Sequence, residues 1–511
     1  MATTLNIAVI GAGTMAQAVH LPVMRRRWDL FAVSALVDHS PRRRREASEV
    51  WGVPEEKRFE TVADLVTAMR AKSVTVDAVL LSTDGLHVDD LLQLLRRGVP
   101  VLVEPPLGYS ADEVRKITDF ERMIGRRLVM MAYPQQYDEA LTDMGERIPK
   151  RDLRMVDYEV LMPASQPLYG AAHVTPSAYD LPPELRTERR HQLQEAVEAG
   201  SGEGATQRDR DLYVKGLLTG VAHQVAALRA VYGPIEQVVA VRHWPKGVIP
   251  GSIEILAEFE GGAPLRLMWH YLPFAAEYSE RIQVLSARRR MRVEIQAPSH
   301  GDRRSHLAVR EKKSGVLTED GMTAAMSSAE GMWEAFHRFV TKAEAPLAGP
   351  ADELDMVTLL RGVLASIVEA DGRTIDPEPE PEAEVEAEGG SEGEASKDAD
   401  DAAKGVAEAE TAGEDVPAGT LGATTVGTAA LADPATMSVT TAEDAEAGVA
   451  EDEKAEAHEA ETETAETAAE EKAEEKAEEE SVALPQDEGN AWEAPAEGAK
   501  GSDEPEQTRS N

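Results

Sequence analysis

A short, mostly apolar segment, Leu5-Asn6-Ile7-Ala8-Val9-Ile10, runs straight into Gly11-Ala12-Gly13-Thr14-Met15-Ala16, and a helical pattern follows from Thr14 to about Arg27. No other feature constrains the fold as strongly. A buried strand that turns into a helix through G-x-G-x-x-A needs a turn that glycine makes most easily. It also needs a second glycine that lets a ligand approach the backbone, and a small residue where helix meets strand. The helix N-terminus then faces the turn with unpaired N–H groups, which suits phosphate. In that context the motif predicts a dinucleotide-binding domain, with Gly11, Gly13, Thr14, Met15 and Ala16 around the pyrophosphate. A glycine-rich turn without a ligand is the competing reading.

The next hundred residues alternate strand and helix patterns. Strands are expected at Phe31–Val37, Asp77–Ser82, Val99–Glu104 and Arg127–Ala132, and helices at Val62–Met69 and His87–Arg97. Such alternation argues for a doubly wound parallel sheet with right-handed crossovers, here over residues 1–132. Asp38 ends the second strand, where an acid takes the adenosine ribose hydroxyls of NAD. Arg42 to Arg45 follow at once. An arginine there suits the 2′-phosphate of NADP, or the four residues simply open a solvated helix. The cofactor expectation is therefore NAD or NADP.

After about residue 150 the texture changes. Apolar β-rich segments at 156–161, 236–244, 253–259, 265–272, 281–285 and 291–295 predict a mostly antiparallel, open sheet. Helices are expected at Leu217–Tyr232, Ser328–Lys342 and Asp352–Ala370. This gives an α+β domain over 133–375, with a polar, glycine-spotted surface insertion at about 181–211. From Asp376 to Asn511 the chain holds 42 acids and seven bases, against 51 and 46 in the rest. The acidity is therefore a tail, too poor in apolar residues to offset its ordering entropy, and it reads as disordered. It disfavours nucleic acid as a partner. No apolar run spans a bilayer and no export signal is visible, so a soluble cytoplasmic protein is expected. With no cysteine, thiolate metal sites and cysteine nucleophiles are excluded, and no metal site is expected.

The chain resembles the glucose–fructose oxidoreductase/inositol dehydrogenase/MocA (Gfo/Idh/MocA) family from about Asn6 to Ile375. The markers are Gly11-Ala12-Gly13 with His20-Leu21-Pro22, Ser82-Thr83-Asp84-Gly85-Leu86-His87, and Gly98-Val99-Pro100-Val101-Leu102-Val103-Glu104-Pro105-Pro106-Leu107. Further on come Tyr133-Pro134-Gln135-Gln136-Tyr137-Asp138, and His223 with Leu228-Arg229 and Gly233. The resemblance implies hydride exchange between nicotinamide and a carbohydrate-like substrate. It also implies a homo-oligomer, dimer or tetramer, built on the open sheet. It adds Ser82, Thr83, His87 and Glu104 to the cofactor-contacting set.

Two positions depart from the family pattern. Its Glu-Lys-Pro lysine is Pro105 here, and the aspartate of its Asp-x-x-x-His helix pair is Thr219. Neither residue is a base at neutral pH. His223 remains as the candidate base and Thr219 as an orienting hydroxyl. The bland alternatives are that His223 only packs a half-buried helix face, that His87 only opens a helix, and that Lys215, one turn before Thr219, is a surface lysine. Tyr133 reads as domain-junction packing, while Tyr137 is as well suited to substrate contact. Two functions stay open: an NAD(P)-dependent oxidoreductase with an atypical proton-transfer set, and a catalytically silent NAD(P)-binding sensor or scaffold.

Overall fold

The computed structural model describes residues 3–376 other than 84, 173 and 175–179. Asp84 and the chain beyond Asp376, to which the disordered-tail expectation applies, lie outside the described residues.

The N-terminal sheet holds six parallel strands: β1 (Leu5–Ile10), β2 (Phe31–Val37), β3 (Arg58–Phe59), β4 (Ala78–Leu81), β5 (Val101–Val103) and β6 (Val129–Met131), in spatial order β3-β2-β1-β4-β5-β6. The strand order reverses between β1 and β4, the switch point where such sheets bind ligands. The connecting helices are α1 (Leu21–Arg26), α2 (Pro41–Trp51), α3 (Val62–Arg70), α4 (Val88–Leu95) and α5 (Ala111–Ile124). Pairing register matters most for the site. Ile10 lies opposite Val37 and Leu81, and Leu81 opposite Val103. The residues just past these, Gly11, Asp38, Ser82 and Glu104, therefore emerge along one edge.

The second sheet holds eight strands: β7 (Leu153–Met162), β8 (Ile235–Trp244), β9 (Ser252–Phe259), β10 (Ala263–Tyr271), β11 (Ser279–Ser286), β12 (Arg289–Ile295), β13 (His306–Lys313) and β14 (Val316–Thr323). Its order is β14-β13-β12-β11-β7-β10-β9-β8, antiparallel except where β7 meets β10. The expected mostly antiparallel sheet is present, extended by β13 and β14. Those two strands carry charges such as Arg310, Glu311, Lys312 and Lys313, and β14 is largely solvated, so no apolar run announced them. Buried residues of both sheets, from Val79 and Val101 through Tyr133 to Val156 and Val160, form one continuous core.

The remaining helices are α6 (Glu139–Arg147), α7 (Ser165–Tyr169), α8 (Pro183–Ser201), α9 (Gln207–Asp211), α10 (Ala222–Tyr232), α11 (Ser328–Lys342) and α12 (Pro350–Glu369). A widely wound helical stretch, Leu212–Val221, leads directly into α10, so the helix expected from Leu217 starts earlier. The 181–211 insertion is mainly helical, carrying α8 and α9. Its glycines make close approaches: a Cβ on Gly200 would stand 2.0 Å from the Tyr109 carbonyl oxygen, and one on Gly204 2.4 Å from that of Thr374.

Candidate active site

At the turn, Gly11 has φ +84°, and a Cβ there would lie 2.2 Å from the Ser82 carbonyl oxygen. Glycine is forced by β4, with or without a ligand. Gly13 is different, because a Cβ there meets nothing within 4 Å. Packing does not require that glycine, and its open side is where a pyrophosphate would pass. Ala16 is fully buried and Met15 nearly so, while Thr14 is half-buried at the rim.

Asp38 braces the turn. One carboxylate oxygen accepts the Ala12 N–H at 2.9 Å and the other the Ser40 N–H at 2.9 Å. A carboxylate has about four acceptor positions, so capacity for ribose hydroxyls remains. Arg42 bonds Glu46 at 3.0 Å on its own helix, and Arg43 lies 3.6 Å from Asp38. The Ser82 N–H pairs with the Ile10 carbonyl at 2.8 Å, and Thr83 Oγ1 bonds His87 Nδ1 at 2.9 Å just before α4.

Glu104 leaves β5 with its backbone N–H on the Leu81 carbonyl at 2.9 Å. Its side chain meets His20, a residue with no role assigned from sequence, at 2.5 Å between Oε1 and Nε2. Trp333 Nε1–H donates to His20 Nδ1 at 3.0 Å. That bond makes Nδ1 the acceptor, so the proton sits on Nε2 and is donated to Glu104. His20 is wholly buried, Glu104 is 4% exposed, and Glu104 Oε2 has no hydrogen-bond partner among the described residues. Pro105 follows directly.

Across from this edge, the helix of Thr219 and His223 presents a different chemistry. Burial lowers the His223 pKa well below that of a free imidazole, so the ring is neutral at pH 7. Its Nδ1 is unpartnered among the described residues, and its ring packs edge-on to Tyr133 at 5.3 Å. Thr219 donates its hydroxyl to the Lys215 carbonyl at 3.1 Å, and Lys215 pairs with Asp211 at 3.3 Å. Tyr133 is buried and donates to Glu353 Oε2 at 2.7 Å. Burial, then the charge of Glu353, pushes its phenol well above the usual range. Tyr137 accepts the Leu347 N–H at 3.2 Å, so it ties a loop rather than facing solvent.

Sequence reasoning missed Glu280, which is 2% exposed on β11. It accepts from Tyr158 at 2.7 Å, Gln224 at 3.0 Å and Gln135 at 3.4 Å, and from Tyr278. Glu280 shares an inward register with Ile282 and Val284. An acid on the apolar parity of a strand was the available signal. Among the described residues no lysine or arginine pairs with Glu104, Glu280 or Glu353. None holds a metal cluster of three or more His, Asp or Glu side chains, and no helix is long and apolar enough to cross a membrane.

A glycine turn, a strand-end aspartate and a switch point on one edge, faced by a second open sheet, define a two-lobed dinucleotide-binding protein. Residues 5–133 match the model of the Gfo/Idh/MocA oxidoreductase family, an NAD-binding Rossmann fold. An inositol 2-dehydrogenase from Arthrobacter sp. (strain FB24) is 34% identical over 154 residues, 30% of this chain and 43% of the relative. One from Klebsiella pneumoniae (strain 342) is 31% identical over 151 residues, 29% of this chain and 43% of the relative. The matches thus span less than half the length of these curated relatives. Among solved structures, a variant 3-ketoreductase from Actinomadura kijaniata in complex with TDP-benzene and NADP aligns at TM-score 0.51 and 16% identity, covering 71% of this chain and 98% of that one. UDP-N-acetylglucosamine 3-dehydrogenase from Acidithiobacillus ferrooxidans aligns at 0.50 and 12%, covering 71% and 98%. These two likenesses extend the shared fold to the second sheet.

Proposed function

We propose that this chain is an NAD(P)-dependent oxidoreductase that exchanges hydride between the nicotinamide and a carbon of a sugar- or polyol-like substrate. The observation that carries the reading is the edge at the switch point of the parallel sheet along which Gly11, Asp38, Ser82 and Glu104 emerge, with the open Gly13 beside it. The inositol 2-dehydrogenase relatives support the substrate class. The dinucleotide, when bound, supplies the hydride acceptor. The chain must supply a proton acceptor for the hydroxyl being oxidised. His223 is the candidate: its ring is neutral at pH 7 and has an unpartnered nitrogen. Thr219, whose own proton is committed to its helix, orients a substrate hydroxyl as acceptor. Glu280 and its tyrosines and glutamines supply a rigid polar wall.

A second reading, a silent NAD(P)-binding sensor or scaffold, is favoured by Pro105 and by the back-bonded Thr219. Titration of the full chain with NADH and NADPH, read by fluorescence, tests what both share, and no saturable signal for either rejects both. A panel of sugars, inositols and sugar acids then separates them. With a substrate found, His223→Ala is expected to lower kcat by about 10²- to 10⁴-fold, and a loss under about tenfold removes His223 as base. Binding without turnover on any substrate leaves the silent reading. The proposal includes a cytoplasmic homo-oligomer, dimer or tetramer, formed through the open face of the second sheet, where Val239 and Leu256 are exposed. Sedimentation of the full chain as a monomer contradicts that part.

A further inference from the structure

Helix α2 begins beside the cofactor edge, with Ser40 as its N-cap and Pro41 in its first turn. A residue 140 positions away in sequence is seated on that turn. Asp180, from the segment between β7 and α8, accepts from Ser40 Oγ at 2.8 Å and 3.1 Å with its two oxygens, and from the Arg42 N–H at 2.9 Å. Burial works to raise the Asp180 pKa, but these two donors and the nearby Arg43 charge hold it below the usual carboxylate range. It is therefore an anion at neutral pH. The neighbouring helix α8 stays on the same side of the molecule. Its Arg189 acts electrostatically on Asp90 of α4, as does His39, which lies between Asp38 and Ser40.

A backbone N–H in the first turn of a helix, a serine hydroxyl and a guanidinium are the donor set of a phosphate monoester site. Here the set lies within five residues of Asp38, the acceptor for the adenosine ribose hydroxyls. A phosphate on the ribose 2′-oxygen would be held beside Asp38 by the residues that follow β2, Ser40 to Arg43. Asp180 already fills that place with a carboxylate. The arginines that could neutralise a 2′-phosphate are also engaged. Arg42 pairs with Glu46, Arg43 lies beside Asp38, and Arg44 bonds the Asp38 carbonyl and lies 3.4 Å from Glu60.

We propose that Asp180 is a cofactor-specificity residue: its carboxylate occupies the 2′-phosphate position at the start of α2, so the cleft accepts NAD(H) and refuses NADP(H). The inference rests on the dinucleotide reading above and adds to it a choice between two cofactors, made by a residue outside the Rossmann domain. An NADP(H) phosphate would have to displace Asp180 or lie against both it and Asp38, and like charges so placed are strongly penalised.

The test is the Kd of the full chain for NADH and for NADPH, measured in parallel for the native protein, Asp180→Asn and Asp180→Ala. The native protein is expected to bind NADH at least about 30-fold more tightly than NADPH. Asp180→Asn removes the charge at constant shape. It is expected to tighten NADPH by about tenfold or more and to leave NADH within about twofold, with Asp180→Ala moving the ratio the same way. Asp180 is exposed, so neither variant threatens the core. Equal native affinity for the two cofactors, or variants that change both affinities by one factor, overturns the inference and leaves the dinucleotide reading in place. Absence of binding by either cofactor to every protein overturns both.

Discussion

The two glycines of the motif have separable physical roles. A Cβ on Gly11 collides with the Ser82 carbonyl at an unfavourable φ, so Gly11→Ala is expected to cost about 2–4 kcal/mol of stability in urea unfolding. Gly13→Ala meets open space and is expected to unfold at the same urea concentration as the native protein, yet to lose dinucleotide affinity. If Gly13→Ala binds NADH normally, the open side of the turn is not where the pyrophosphate lies. Both glycines were legible in sequence, but which of them answers to the fold and which to the ligand was not. That depends on β4 and on how closely its backbone passes. The same holds for His20. Its segment was visible as a motif, but its role depends on Trp333, more than three hundred residues away.

At the scale of elements, α12 is tied to the cofactor edge through Glu353 in its first turn. Glu353 accepts from Tyr133 at 2.7 Å and from the Leu107 N–H at 3.4 Å. Burial raises its pKa from 4.5 to about 7. A carboxyl raised on folding binds its proton more tightly in the native state. Its stabilisation is therefore complete below the unfolded value of 4.5 and is lost as pH rises through about 7. Glu353→Gln removes that dependence. Relative to the native protein, the variant is expected to gain up to about 3 kcal/mol between pH 4.5 and 8 in urea titrations. A stability difference that stays constant across this range excludes Glu353 as the source. Helix and strand patterns in sequence placed most elements because apolar periodicity reports burial on one face. They missed β13 and β14, whose side chains are largely solvated, and assigned no helix to the 181–211 insertion, because the only buried residues of α8, Val197, Gly200 and Ser201, lie near its end. Glu280 was missed for a related reason: a lone acid in a strand does not reveal that tyrosines and glutamines from other elements will surround it.

For the whole molecule, composition predicts that residues 377–511 contribute no packing to the body. A chain ending at Asp376 is expected to melt at the native Tm and to bind cofactor with native affinity, and a drop in either by calorimetry or titration contradicts it. The sequence alone determined the parallel Rossmann sheet, the glycine turn, the Asp38 position and the family resemblance, because each is encoded in residues close together along the chain. The tertiary structure decided what depends on distant partners. It neutralised His223 by burial and committed the Thr219 proton to its own helix. It set the His20 tautomer through Trp333, and it brought Asp180 onto the first turn of α2. The physical reason is common to all four: burial and hydrogen-bond partners set the charge and proton state of a polar group, and apart from Thr219, whose acceptor Lys215 is one turn away, those surroundings are assembled from segments far apart in sequence.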